Sequence, residues 1–142
     1  MANQFIHQEY LVAGNNFNSA GSASEAVKST LKKMGVASTD IRRVAIAMYE
    51  GEINMVIHAG GGVAIVDIFY DKINIVLSDK GKGIEDLEKA MQPGFSTAPE
   101  AVQRLGFGAG MGLPNMKKYA DKFDINSEVG VGTTVRMTIF LG

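Results

Sequence analysis

Glu50 and Asn54 stand four residues apart in "YEGEIN", residues 49–54, so on a helix they lie one above the other on the same face. A carboxylate there can accept a proton, and an amide oxygen is a hard ligand of the kind Mg2+ takes. Taken alone, the pair also fits two polar residues on a solvated helix face. Asp79 ends an apolar run in "SDKGKGI" and is followed by Gly81 and Gly83. A carboxylate at a strand end can accept hydrogen bonds from a ligand amine, and glycines let the backbone come close. An ordinary turn has the same letters. "RLGFGAGMGL", residues 104–113, sets Gly106, Gly108, Gly110 and Gly112 at every second position behind Arg104. In a helix each of these would cost about 1 kcal/mol relative to alanine, and in a strand they would leave one face bare. Ahead of a helix start, bare backbone gathers N–H groups and partial positive charge, the makings of a phosphate cradle. No Gly-Lys-Ser/Thr closes it as in a Walker loop, and no parallel βαβ unit surrounds it as a dinucleotide turn requires; a flexible surface loop is the alternative. Thr133 and Thr134 bring two hydroxyls to the start of the last strand, where threonine is also simply a good strand residue.

The elements that must position these groups follow from periodicity and turn chemistry. "QFIHQEYLV" (4–12) predicts a first strand. A helix is predicted over about 18–34, closed by Gly35 past its end. A second helix over about 39–59 takes its N-cap from "STD" (38–40) and stops at "GGG" (60–62). This helix is apolar almost all round, so it is expected to be central. Glu52 sits about 160° round from Glu50, near the stripe of Ile41, Val44, Met48 and Met55. Strands over 63–70 and 73–79, joined by a short turn at Asp71–Lys72, imply an antiparallel hairpin. Residues 80–112 carry little regular structure beyond a short helix near 84–91, and long loops of this kind are typically lids or binding loops. A helix from Leu113–Pro114 to about Lys122, a strand over 122–128, a turn at "VGVG" and a strand over 133–141 complete the chain. The expected architecture is an α/β sandwich: a mixed, mostly antiparallel sheet with its helices packed on one face.

The bulk numbers narrow the class. The chain has 142 residues, the size of one domain, and a formal net charge of −1, which offers no electrostatic case for nucleic acid or an anionic membrane as main partner. There are no cysteines for a disulfide framework or thiolate metal site. The beginning of the chain lacks the pattern of a signal peptide, and no apolar run approaches the roughly 18 residues of a membrane span. A cytoplasmic protein is expected. Of the two histidines, His58, one turn beyond Asn54, reads as packing or capping, and His7 as a surface residue.

Four signals, Glu50-x-x-x-Asn54, Asp79-x-Gly81-x-Gly83, Gly108-x-Gly110-x-Gly112 and Gly132-Thr133, occur in one order. That order resembles the Bergerat-fold ATPases, the superfamily of gyrase, histidine kinases and mismatch-repair proteins, over roughly residues 38–141. Within it, "NMVIHAGGG" and "QPGFSTAPEAVQRLGFGAGMGLPNMKKYADKF" are most similar to the bacterial anti-sigma-factor and switch serine/threonine kinases. The resemblance implies ATP and Mg2+ as cofactors. It implies Asn54 as the Mg2+ ligand and Glu50 as general base toward a serine or threonine hydroxyl. Asp79, with Thr133 assisting, would bond the adenine amine, and Gly81 and Gly83 would let the ring lie against their loop. Residues of about 92–112 would form a lid, with Gly108, Gly110 and Gly112 over the phosphates and Arg104 near the terminal one.

The expected activity is therefore a protein serine/threonine kinase acting on a small anti-sigma-factor antagonist, with a sigma factor and a second copy of the chain as further partners. The alternative is a nucleotide-gated binding module with little turnover, in which ATP or ADP sets the lid and the lid sets partner affinity.

Overall fold

The strand order is β1-β2-β3-β5-β4, with β1 Ile6–Ala13, β2 Gly61–Ile68, β3 Lys72–Ser78, β4 Lys122–Glu128 and β5 Gly132–Phe140. The computed structural model describes residues 6–14, 20–92 and 112–142. All four pairings among these strands are antiparallel, so the mostly antiparallel expectation holds with no parallel pair among the described residues. Inward positions alternate as a half-covered sheet requires. Ala64, Val66 and Ile68 of β2, Ile73, Ile75 and Leu77 of β3, and Val135, Met137 and Ile139 of β5 are buried. Their neighbours face the other side, where Leu11 is 88% exposed.

Three helices cover the buried face: α1 Ser22–Lys33, α2 Ser38–His58 and, after a single-turn α3 at Leu87–Ala90, α4 Gly112–Tyr119. α2 is central as its all-round apolar sequence demands; it packs on α1, on α4 and on four of the strands. Its residues Ile41, Val44, Ala47, Met48, Ile53, Met55 and Val56 are buried. α1 closes as expected. Gly35, with φ of 79°, donates to the Lys32 carbonyl and Val36 donates to that of Leu31, the paired bonds of a Schellman turn.

Three local expectations shift. The N-cap of α2 is Ala37, not a residue of "STD"; its carbonyl accepts from both Asp40 and Ile41, and residues 38–40 form the first turn instead. The β2–β3 turn centres on Tyr70–Asp71, because Phe69 N–H already pairs with the Lys72 carbonyl at 2.8 Å. α3 is shorter than 84–91 because Asp86 caps it, accepting from Lys89 N–H at 3.0 Å.

Glu52 supplies a connection that periodicity does not reveal. It is only 2% exposed. The start of α1 has Gly21 at its cap position and no capping side chain. Glu52 takes that role from the neighbouring helix: Oε2 accepts from Gly21 N–H at 3.1 Å and Ala23 N–H at 3.2 Å, and Oε1 from Ser24 N–H at 2.6 Å. A carboxylate at the positive end of a helix is doubly favoured, by the dipole and by the open donors.

Candidate functional site

α4 runs antiparallel along one face of α2, and that face carries the chemistry. Arg43, Glu50 and Asn54 share it by the helix period, and three points on α4 meet them in reverse order. Arg43 Nη2 donates to the Tyr119 carbonyl at 3.2 Å and to Asp121 at 2.8 Å. Asn115 Nδ2 stands 3.5 Å from Glu50 Oε1, at the long end of hydrogen bonding. Gly112, the first residue of α4, lies on the Asn54 amide; a methyl group there would stand 2.9 Å from Nδ2 and 3.1 Å from Oδ1. Glu50 and Asn54 are both half-buried. Asn54 has no hydrogen-bonded protein partner among the described residues. Gly51 has its own reason: a side chain there would overlap Leu77, so the glycine lets α2 lie close on β3.

At the end of the same sheet face, Asp79 follows β3 and binds Thr133 twice. Asp79 N–H donates to the Thr133 carbonyl at 2.9 Å, and Asp79 Oδ1 accepts from Thr133 N–H at 3.1 Å. Oδ1 also accepts from Gly81 N–H at 2.9 Å. Asp79 Oδ2 has no donor among the described residues. The glycine loop that follows is held on two sides. Gly81 packs on Ala59, the residue capping α2, where a methyl group would come within 2.7 Å. Gly83, with φ of 80°, lies on the Glu128 carbonyl, and Lys82 O accepts from Gly130 N–H at 2.8 Å. Thr133 faces inward with Val135, whereas Thr134 pairs with Ser78 on the other side of the sheet at 3.3 Å. Strand alternation thus separates two adjacent threonines that the sequence presents together.

The structure therefore brings Glu50, Asn54 and Gly112 together, and Asp79, Gly81, Gly83 and Thr133 together. α2 joins the two groups, through Asn54 and then Ala59. Arg104, Gly108 and Gly110, and the expected lid apart from its ends Gln92 and Gly112, lie outside the described residues. His58 is kept below the usual histidine range by burial and by the Lys82 charge, so it is a neutral packing residue. Asn115, Arg43 and Ser127 of β4 also join the site. None of the three was singled out by the sequence; the β4–β5 register is what sets Ser127 opposite Thr133.

Among the described residues no three His, Asp or Glu side chains gather as a metal cluster. A lone amide suits Mg2+, which keeps waters and takes further oxygens from phosphates. Asn54, without a protein hydrogen bond among the described residues and with no side chain on Gly112 to cover it, fits that role. No helix among the described residues is long and apolar enough to cross a membrane.

A carboxylate and an amide on a central helix, a strand-end carboxylate above a glycine loop, and a glycine-opened helix start define an ATP-binding domain of the Bergerat type. The profile of the histidine kinase-like ATPase domain matches residues 16–139, and the chain belongs to that family. It is 40% identical over 108 residues to the anti-sigma F factor of Caldanaerobacter subterraneus subsp. tengcongensis, across 72% of each chain. It is 31% identical over 118 residues to the serine/threonine-protein kinase RsbT of Bacillus subtilis, across 80% of this chain and 83% of that one. The solved RsbU and RsbW domains of Rv1364c from Mycobacterium tuberculosis match its fold with a TM-score of 0.63 over 97% of this chain, at 16% identity. This chain spans 32% of that larger one.

Proposed function

We propose that the chain is a single ATP-binding domain working as a serine/threonine kinase of the anti-sigma-factor type. It moves the γ-phosphate of ATP onto a small regulatory protein in the cytoplasm, and it also binds a sigma factor. The observation that carries this reading is the α2 face on which Glu50 and Asn54, half-buried and one turn apart, meet the start of α4. The relatives support it by their names, an anti-sigma factor and a serine/threonine-protein kinase.

Each group has one task. Asp79 Oδ2 accepts from the adenine amine, and the backbone opened at Gly81 and Gly83 takes the ring. Asn54 would hold Mg2+, which would supply positive charge to offset that developing on the transferred phosphate. Gly112 keeps the α4 N-terminus clear for the same oxygens. Glu50 accepts the proton of the serine or threonine hydroxyl. As that oxygen bonds to the γ-phosphorus, the bond from phosphorus to the bridging oxygen breaks and ADP leaves. Phosphoryl transfer demands mainly positioning and charge stabilisation, and packed helices supply both.

The test uses immobilised protein, partners captured from the lysate of its own cells, Mg2+ and γ-labelled ATP. A small protein gains label on serine or threonine, and Glu50→Gln lowers that labelling by at least about a hundredfold while leaving nucleotide and partner binding in place. Nucleotide-dependent capture without labelling would instead make the chain a gated binding module, and Glu50 would not be a base.

A further inference from the structure

We propose that Asn115 positions the base of the transfer: its amide turns one oxygen of the Glu50 carboxylate toward α4 and leaves the other to receive the proton of the target hydroxyl. The inference rests on the kinase reading above and adds to it a residue that acts through Glu50.

The α2 backbone at Glu50 is fixed by packing, with Met48, Gly51 and Glu52 around it buried. The carboxylate is not fixed in this way, because the torsions of a long side chain separate it from the backbone and the residue is half-buried. A misplacement of an ångström at a reacting group can cost about a hundredfold in rate. Asn115 supplies the fixed point. It stands three residues beyond Gly112, so both lie on the α4 face that meets α2. Leu113 and Met116 on either side are buried, and Arg43 holds the far end of the helix. Of the two polar atoms of the amide, only Nδ2 can face a carboxylate, which has no proton to give. It stands 3.5 Å from Oε1. Hydrogen bonds to catalytic groups are often this long until substrate is in place. Among the described residues Glu50 has no other hydrogen bond and no ion pair, so Oε2 is the oxygen left to accept.

The chemistry of the donor suits the task. A lysine or arginine in its place would pair with the carboxylate by full charge and hold it in the anionic form against taking up a proton. A neutral amide fixes the direction of the carboxylate at a smaller cost in basicity. In the reaction the proton passes from the hydroxyl oxygen to Glu50 Oε2 as that oxygen bonds to the γ-phosphorus and the bond from phosphorus to the bridging oxygen of ADP breaks. Asn115 keeps its own protons throughout.

The experiment measures steady-state labelling of the captured acceptor protein by γ-labelled ATP in Mg2+, beside calorimetric titration of ATP. It compares the wild-type chain, Asn115→Ala, Asn115→Asp, Glu50→Gln and the double variant Glu50→Gln with Asn115→Ala. Asn115→Ala should lower kcat about tenfold or more, with the Kd for ATP within about twofold of wild type. Asn115→Asp, of the same shape but with a like charge in place of the donor, should lose at least as much. In the Glu50→Gln chain, Asn115→Ala should cause no further loss, because its effect passes only through the Glu50 carboxylate. An equal loss in both backgrounds, a loss of ATP affinity as large as the loss in kcat, or an Asp variant as active as wild type would overturn the proposal. A wild-type chain that binds ATP but labels no acceptor refutes the kinase reading, and the proposal with it. Labelling that survives Glu50→Gln removes Glu50 as the base, an outcome distinct from an Asn115 that acts independently of it.

Discussion

Glu50 and Glu52 are two residues apart, carry the same carboxylate, and do unrelated work. The helix period sends them to opposite sides of α2: Glu52 into the start of α1, Glu50 toward α4. Asn54 shares the side of Glu50 and, unlike Glu52, makes no protein hydrogen bond among the described residues. Asn54→Ala should therefore leave stability within about 0.5 kcal/mol of wild type. The same change should cut nucleotide affinity about tenfold or more in Mg2+ and little in EDTA. Calorimetric titration in both buffers, beside a urea melt, checks the two halves separately. Equal losses with and without Mg2+ would remove Asn54 from the metal. The spacing of this pair was legible from the sequence because i,i+4 neighbours need nothing beyond one helix. That Glu50 meets Asn115, 65 positions onward, and Asn54 meets Gly112, 58 onward, was not.

The helices are placed by polar contacts between them as well as by their apolar faces. α1 begins on a glycine with no capping side chain, so its first N–H groups depend on Glu52. Glu52→Ala leaves three donors without their acceptor in a buried position and should lower stability by about 3–5 kcal/mol, read as a shift in the urea midpoint. Glu52→Gln keeps one acceptor oxygen and should lose less. Full stability in the alanine variant would mean that α1 docks through its apolar residues alone. At the other end of the α2 face, Arg43 binds the last carbonyl of α4 and also Asp121, which in turn accepts from Phe140 N–H at 2.7 Å. The axis of α4 is thus fixed at its C-terminal end, which sets how Gly112 lies over Asn54.

Across the whole molecule the two histidines respond oppositely to pH. His7 on β1 lies between Glu9 and Asp67, and their carboxylates raise its pKa above the ordinary 6.5. The folded protein holds this proton more tightly than the unfolded chain. Its stabilising effect is therefore complete below 6.5 and fades as pH rises through the raised value. His58 is shifted down by burial and by Lys82. Its contribution is present above 6.5 and fades as pH falls through the lowered value. An NMR titration should show two imidazole signals with midpoints on opposite sides of 6.5. Midpoints on the same side would contradict the geometry at one of them. His7 read as an ordinary surface residue because Asp67 is brought opposite it only by the β1–β2 register.

What the sequence determined by itself was everything carried by short spacing. The Glu50–Asn54 face, the alternating strands, the Gly35 helix stop and the glycine loop after Asp79 depend on neighbours within a turn or two, where backbone geometry leaves few choices. Their joint order was also enough to identify the family. The tertiary structure decided which of Thr133 and Thr134 faces the site, which acid caps α1, and what Ser127 touches. The Glu52–Ser24, Ser127–Ile84 and Ser78–Thr134 contacts join residues 28, 43 and 56 positions apart, and the face that Thr133 presents depends on which side of the sheet the helices cover. They exist only once α1, α2 and α4 have buried the apolar side of the sheet, because that burial sets register, inward face and helix axis together. Polar atoms carried into the interior by it must then find partners wherever the packing has placed them.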